Sequence, residues 1–127
     1  MDPTEAITSA IHGYFDLMYG ADDTAFPAVF HDACVIHGVR NGRLVAWSAA
    51  EFRAVTRGRP SPAAMHAPRA QGILGIEQTA PDLAVAKVRV RIGQIVFVDH
   101  LIFHCVDGRW IVTSKAFHIE QVLPAGS

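Results

Sequence analysis

Charge is scarce in this chain: 18% of its 127 residues are Asp, Glu, Lys or Arg, 50% are hydrophobic, and the formal net charge is −1. That balance excludes a disordered tail, which needs low hydrophobicity, and an electrostatic nucleic-acid binder, which needs a basic excess. Cysteine is scarce too. Cys34 and Cys105 stand 71 positions apart in apolar segments, with no Cys-x-x-Cys. A disulfide framework is thereby excluded, and reduced core thiols in a cytoplasmic protein are expected. No apolar run approaches the roughly 18 residues of a membrane span, and no Lys or Arg precedes an apolar core at the start. Neither membrane insertion nor export is expected. A Gly-x-Ser-x-Gly elbow and a phosphate-binding loop are both missing, so neither nucleophilic catalysis nor a nucleotide cofactor is expected.

What is present fills a single domain over residues 1–127. A chain of this length buries about two thirds of its unfolded surface, enough for a true core. Charge is segregated along it. Asp2, Glu5, Asp16, Asp22, Asp23 and Asp32 precede the first basic residue, Arg40, after which Arg43, Arg53, Arg57, Arg59 and Arg69 face only Glu51. Such a stretch is either an anion-binding patch or solvated arginine on a helix and loop.

Ile7, Ile11, Tyr14, Phe15 and Met18 recur at helical spacing over residues 3–19. Asp2 is placed to cap this helix, Pro3 suits its first position, Glu5 stands where it can close a capping box, and Gly20 ends it. A short helix follows over 23–30, with Pro27 in its first turn. Residues 33–38 and 43–47 read as a hairpin around Asn41-Gly42, and Ser48 with Glu51 opens a third helix to Arg57. After a Pro-rich loop come four strands, 71–79, 84–92, 94–106 and 110–120, separated by Pro81-Asp82, Gly93 and Asp107-Gly108. This order predicts an α+β domain whose strongly curved, mostly antiparallel sheet wraps three helices. Apolar residues occur on both strand faces. Helices cover one face, so Val98, Ile102, Trp110 and Val112 on the other predict a homodimer through the outer sheet face.

Phe30-His31-Asp32-Ala33 before the first strand and Asp107-Gly108-Arg109-Trp110 before the last, in this element order, resemble the nuclear transport factor 2-like superfamily. Tyr14-Phe15-Asp16, Gly42-Arg43-Leu44, Gly58-Arg59-Pro60-Ser61-Pro62, Asp99-His100-Leu101 and Lys115-Ala116-Phe117-His118 resemble its putative lumazine-binding family. The resemblance implies a cone-shaped, barrel-like domain, usually dimeric, with an apolar pocket between sheet and helices for a small apolar or aromatic molecule. Superfamily members include isomerases, cyclases, dehydratases and plain binding modules, so the fold alone does not choose among them.

A three-residue turn at Gly108 would set Asp99 opposite Lys115, Leu101 opposite Thr113, Phe103 opposite Ile111 and Phe97 opposite Phe117. A two-residue turn would put His100 beside Lys115 instead. The first register gathers Phe97, Leu101, Phe103, Thr113, Lys115 and Phe117 as a pocket lining. Ketosteroid isomerase, another member of the superfamily, uses a Tyr and a protonated Asp as oxyanion donors with a separate carboxylate base. By resemblance Tyr14 and Asp99 take the donor places, and the base place falls on His37, where an imidazole replaces the carboxylate. Two readings follow: a binding domain for a small molecule, or a cofactor-independent isomerase, cyclase or dehydratase acting beside a carbonyl. Duller roles compete with both, since Tyr14 suits core packing and Asp99 with Lys115 suits a cross-strand ion pair. No metal is expected, because His100 and His104 lie about 13 Å apart on a strand.

Overall fold

The computed structural model describes residues 2–126. Helix α1 (Pro3–Gly20) starts where Asp2 accepts a hydrogen bond from the Thr4 N–H at 3.1 Å. It stops at Ala21 rather than at Gly20: Ala21 takes a left-handed φ of 49° and its N–H closes on the Leu17 carbonyl at 2.8 Å. Helix α2 (Phe26–Val29) carries Pro27 in its first turn, where no N–H is needed. Strands β1 (Phe30–Arg40) and β2 (Arg43–Ser48) form the expected hairpin, with Asn41 and Gly42 at φ 52° and 76°. Those two positive values match the twist of the flanking strands, which Asn-Gly adopts readily. Helix α3 (Ala49–Gly58) begins at a reciprocal capping box between Ser48 and Glu51, with bonds of 3.1 and 2.9 Å.

Strands β3 (Gln71–Ala80), β4 (Leu83–Ile92), β5 (Ile95–Val106) and β6 (Arg109–Val122) complete one six-stranded sheet in the order β2-β1-β6-β5-β4-β3. Every pairing is antiparallel except β1 with β6, so the sheet is mixed. It is also open. The expected barrel-like closure is absent, because β2 and β3 each have a neighbour on one side only. Helix α1 packs on β4 and β6, and α3 on β1 and β2. Between sheet and helices lies the core, in which Ile7, Ile11, Tyr14, Phe15, Phe30, Ile36, Leu101 and Phe103 are 0–1% exposed. Among the described residues no helix is long and apolar enough to cross a membrane.

The β5–β6 register differs from both expected ones. Asp107 and Gly108, at φ 51° and 76°, make a two-residue turn, and then a bulge between Val112 and Ser114 inserts Thr113 as an extra residue. Leu101 therefore lies opposite Lys115, Asp99 opposite Phe117, and Phe103 opposite Val112. The bulge restores the alternation that the shorter turn had flipped, so Phe97, Asp99, Leu101, Phe103, Lys115 and Phe117 still share the core face. Val112 shares it too and is fully buried, while Trp110 packs against the core. Both leave the outer face to which the alternation of a bulge-free strand assigned them.

Candidate functional site

Asp99 and Lys115 are the buried charged residues among those described, at 1% and 5% exposure. Burial of charge is costly unless it is paired, so their surroundings decide what they do. Tyr14, on the inward face of α1 and fully buried, donates its hydroxyl hydrogen bond to Asp99 Oδ2. Lys115 Nζ stands 3.7 Å from the same oxygen. The ammonium also lies over two rings, 4.6 Å from the centre of Phe52 and 5.1 Å from that of Tyr14. These faces attract a cation where water is excluded. Burial holds Lys115 below the ordinary lysine range against the opposing pull of Asp99. Burial, followed by the charge of Asp99, pushes the Tyr14 hydroxyl well above its usual value. Cys34, on β1, is pushed up to about 11 by burial, with Lys115 pulling the other way.

One atom of this cluster is left over. Asp99 Oδ1 is buried without a hydrogen-bond partner, at a cost of about 1–3 kcal/mol for an unpaired acceptor. Asp99 and Lys115 form one wall of a small cavity whose other walls are Trp47 of β2, Phe52 and Val55 of α3, Ile92, Phe97 and Phe117. Arg40, at the end of β1, and Arg59, just after α3, complete it. The rings are ordered against one another. Phe117 stacks on Trp47 at 5.9 Å and 16°, Trp47 stacks on Phe52 at 5.8 Å, and Phe97 meets Phe117 edge-on at 6.0 Å. Gly38 allows this: a Cβ there would meet the Phe117 ring at 2.2 Å. About 40 Å³ remains free, room for about one water molecule.

A much wider hollow of about 590 Å³ opens beside α1 and α2, lined by Ala10, Leu17, Phe103 and Trp110 among others. It holds no unpaired buried polar group among the described residues, in contrast to the wall of the smaller cavity.

Of the residues singled out from the sequence, the cavity brings together Phe97, Asp99, Lys115 and Phe117, with Tyr14 behind Asp99. Leu101 and Phe103 are core residues outside its wall. Thr113 is the bulged residue, and its hydroxyl meets His104 Nδ1 and the Ile102 carbonyl instead of the cavity. His37 is the main correction. It is exposed, whereas its neighbours Ile36 and Gly38 are buried, so strand alternation puts it on the face opposite Asp99. Groups so separated cannot act on one substrate, and His37 is not the base of this site. Sequence reasoning missed Trp47, Phe52, Val55, Arg59 and Arg40. A signal existed: Phe52, Val55 and Arg59 follow a helical 3–4 spacing, and Trp47 shares a strand face with Val45.

The family profile described as putative lumazine-binding matches residues 2–118. No curated protein matches the chain. Among solved structures, a nuclear transport factor 2-like protein of unknown function from Shewanella baltica OS155 superposes with a TM-score of 0.82 and 22% identity, covering 93% of this chain and 94% of the other. A similar protein of unknown function from Silicibacter pomeroyi DSS-3 gives 0.78 and 21%, covering 92% and 95%. A ketosteroid isomerase-like protein from Erwinia carotovora atroseptica SCRI1043 gives 0.72 and 16%, covering 94% and 98%. At these identities the likeness is one of fold.

Proposed function

The chain belongs to the putative lumazine-binding family of the nuclear transport factor 2-like superfamily, and from that premise we propose that it is a small-molecule-binding domain whose ligand is a flat aromatic compound with a hydrogen-bond donor, seated beside Asp99. The observation that carries this reading is Asp99 Oδ1, a buried acceptor without a partner in the wall of an aromatic cavity. A ring N–H or O–H placed there would satisfy it, while Trp47, Phe97 and Phe117 offer faces for the ring. The name of the family supplies a concrete probe. Lumazine is a flat bicyclic dione with ring N–H donors for Asp99 and carbonyl acceptors for Lys115. It is larger than the space now free, so the walls must part, and Trp47 stands on the edge strand β2, which the sheet holds from one side only.

An isomerase, cyclase or dehydratase using the same groups has less support. Tyr14 commits its single hydroxyl proton to Asp99, leaving it no hydrogen bond to donate to an oxyanion, and His37 lies on the other face. Titration calorimetry with lumazine tests the binding reading. Saturable binding to the wild type and about tenfold weaker binding to Asp99→Asn are expected, since a charge-assisted bond becomes a neutral one. Absence of binding, or equal affinity in the variant, would sink it.

The same reading includes a homodimer through the outer face of β4–β6. Val85 and Ile102 are paired there, and Val98 and Ile111 lie beside them, outside the main core. Light scattering should give about twice 13.8 kDa, and Ile102→Asp should halve it. A wild-type monomer at micromolar concentration would exclude the dimer.

A further inference from the structure

The arginine-rich stretch divides cleanly once its partners are known. Arg53 and Arg57 both grip Asp23, their Nε atoms 2.7 and 2.8 Å from its Oδ1. Arg69 pairs with Asp16 and lies over the Tyr19 ring at 5.1 Å. Arg43 is exposed to solvent and outside the cavity wall. Arg40 and Arg59 are the two left at the cavity, and neither has a hydrogen bond or ion pair among the described residues. Arg59 is partly buried, and burial, joined by the like charge of Arg40, holds its guanidinium below the ordinary arginine range against the opposing pull of Tyr14 and Asp99. The loop that follows is fastened to α1, with the Tyr19 hydroxyl donating to the Ala67 carbonyl at 2.9 Å and the Ala63 N–H to the Tyr19 carbonyl at 3.0 Å. Two unpaired cations are thus placed on the rim of an aromatic cavity whose interior already holds an ion pair.

We propose that the ligand of this cavity is an anionic aromatic, whose carboxylate or phosphate is held between Arg40 and Arg59 while its ring reaches in towards Asp99. This deepens the binding reading and rests on it. Guanidinium groups present paired donors that match anionic oxygens, and a partly desolvated site strengthens such bonds. An anion also removes the repulsion between the two arginines. A neutral ring would leave both that repulsion and the unpaired donors of Arg59 in place.

A matched pair of probes decides it: pterin-6-carboxylate against 6-methylpterin, which share the ring and differ in charge. The carboxylate should bind the wild type about tenfold more tightly at low salt. That preference should shrink to about threefold in Arg40→Gln, an exposed position where folding is not at stake, and vanish in Arg40→Gln/Arg59→Gln. It should also narrow in half-molar salt, since screening weakens exposed charge pairs. Equal binding of the two probes to the wild type, or a preference untouched by Arg40→Gln, overturns the anionic ligand and leaves the aromatic site standing. Failure of both probes to bind overturns the two readings together.

Discussion

Asp99 and His100 are neighbours on β5, yet the first is 1% exposed against α1 and the second is exposed on the outer face of the sheet. The two faces of this one hairpin treat polar groups in opposite ways. Outside, His100 and His118 are exposed, and Arg89 holds Glu120 with two bonds of 2.8 and 2.9 Å. Water competes for both of those bonds, so the pair adds little to stability. Inside, two charges and one hydroxyl are enclosed by aromatic rings, and each depends on the others. Seven histidines attract attention in the sequence, but the consequential groups are one aspartate and one lysine with nowhere else to go.

Removing the inner cation is the strongest way to break that contrast. Lys115→Met deletes the ammonium beside Asp99 Oδ2 and leaves a buried charge with only the Tyr14 bond. A loss of about 3 kcal/mol is expected, the usual result of orphaning one partner of a buried pair. Adding Asp99→Asn to the same chain should restore more than half of it, since a buried amide needs no counter-ion. Urea unfolding of the two single variants and the double variant measures this coupling. A cost below about 1 kcal/mol for Lys115→Met would place the inner pair in the same class as the surface pairs.

The alkaline limb of the stability curve sharpens the comparison further. The folded-state value of Tyr14 is raised by burial and by Asp99, so above about pH 10 the unfolded chain gives up a proton that the folded one retains. Its contribution is fully present below that pH and is lost as pH rises, by up to about 1.4 kcal/mol per unit. Lys115 acts the other way. Its folded-state value is lowered, so its penalty applies while the unfolded chain stays protonated and is relieved as pH climbs towards 10.5. Tyr14→Phe removes the first effect and keeps the second. Above about pH 10 the urea midpoint of the wild type should therefore fall relative to that of the variant; parallel curves would mean that Tyr14 titrates as if exposed.

How far the sequence reaches follows the same division. Helices with capping signals and strands bounded by Asn-Gly, Asp-Gly and Gly93 lie close to where local chemistry puts them, because caps and turns are short-range. The core face of β5 was legible from Phe97, Leu101 and Phe103. The partner across the ladder was not, because a bulge at Thr113 has no reliable local mark and moves every later pairing by one residue. Trp47 and Arg59 escaped notice for another reason. They reach the cavity only because β1 pairs with β6 and carries β2 and α3 beside it, which sets Trp47 against Phe117 and Phe52 against Lys115, residues some 60–70 positions apart. Open closure of the sheet was likewise invisible, since alternation on each strand is the same in an open sheet and in a barrel.

The smallest expected effect is the most direct test of which face matters. His37 lies on β1, paired with Ala46 and Ala116 on neighbouring strands, and it is exposed while Ile36 and Gly38 on either side are buried. Nothing in the cavity wall is contributed by it. His37→Ala should therefore change stability by less than about 0.5 kcal/mol, as surface substitutions do, and should leave lumazine affinity within about twofold. Asp99→Asn, two strands away and facing inward, should lose about tenfold. A single calorimetric series on these two variants compares the faces under identical conditions. Were His37→Ala to abolish binding while Asp99→Asn left it intact, the inner cavity would lose its claim and the exposed face of the sheet would take it.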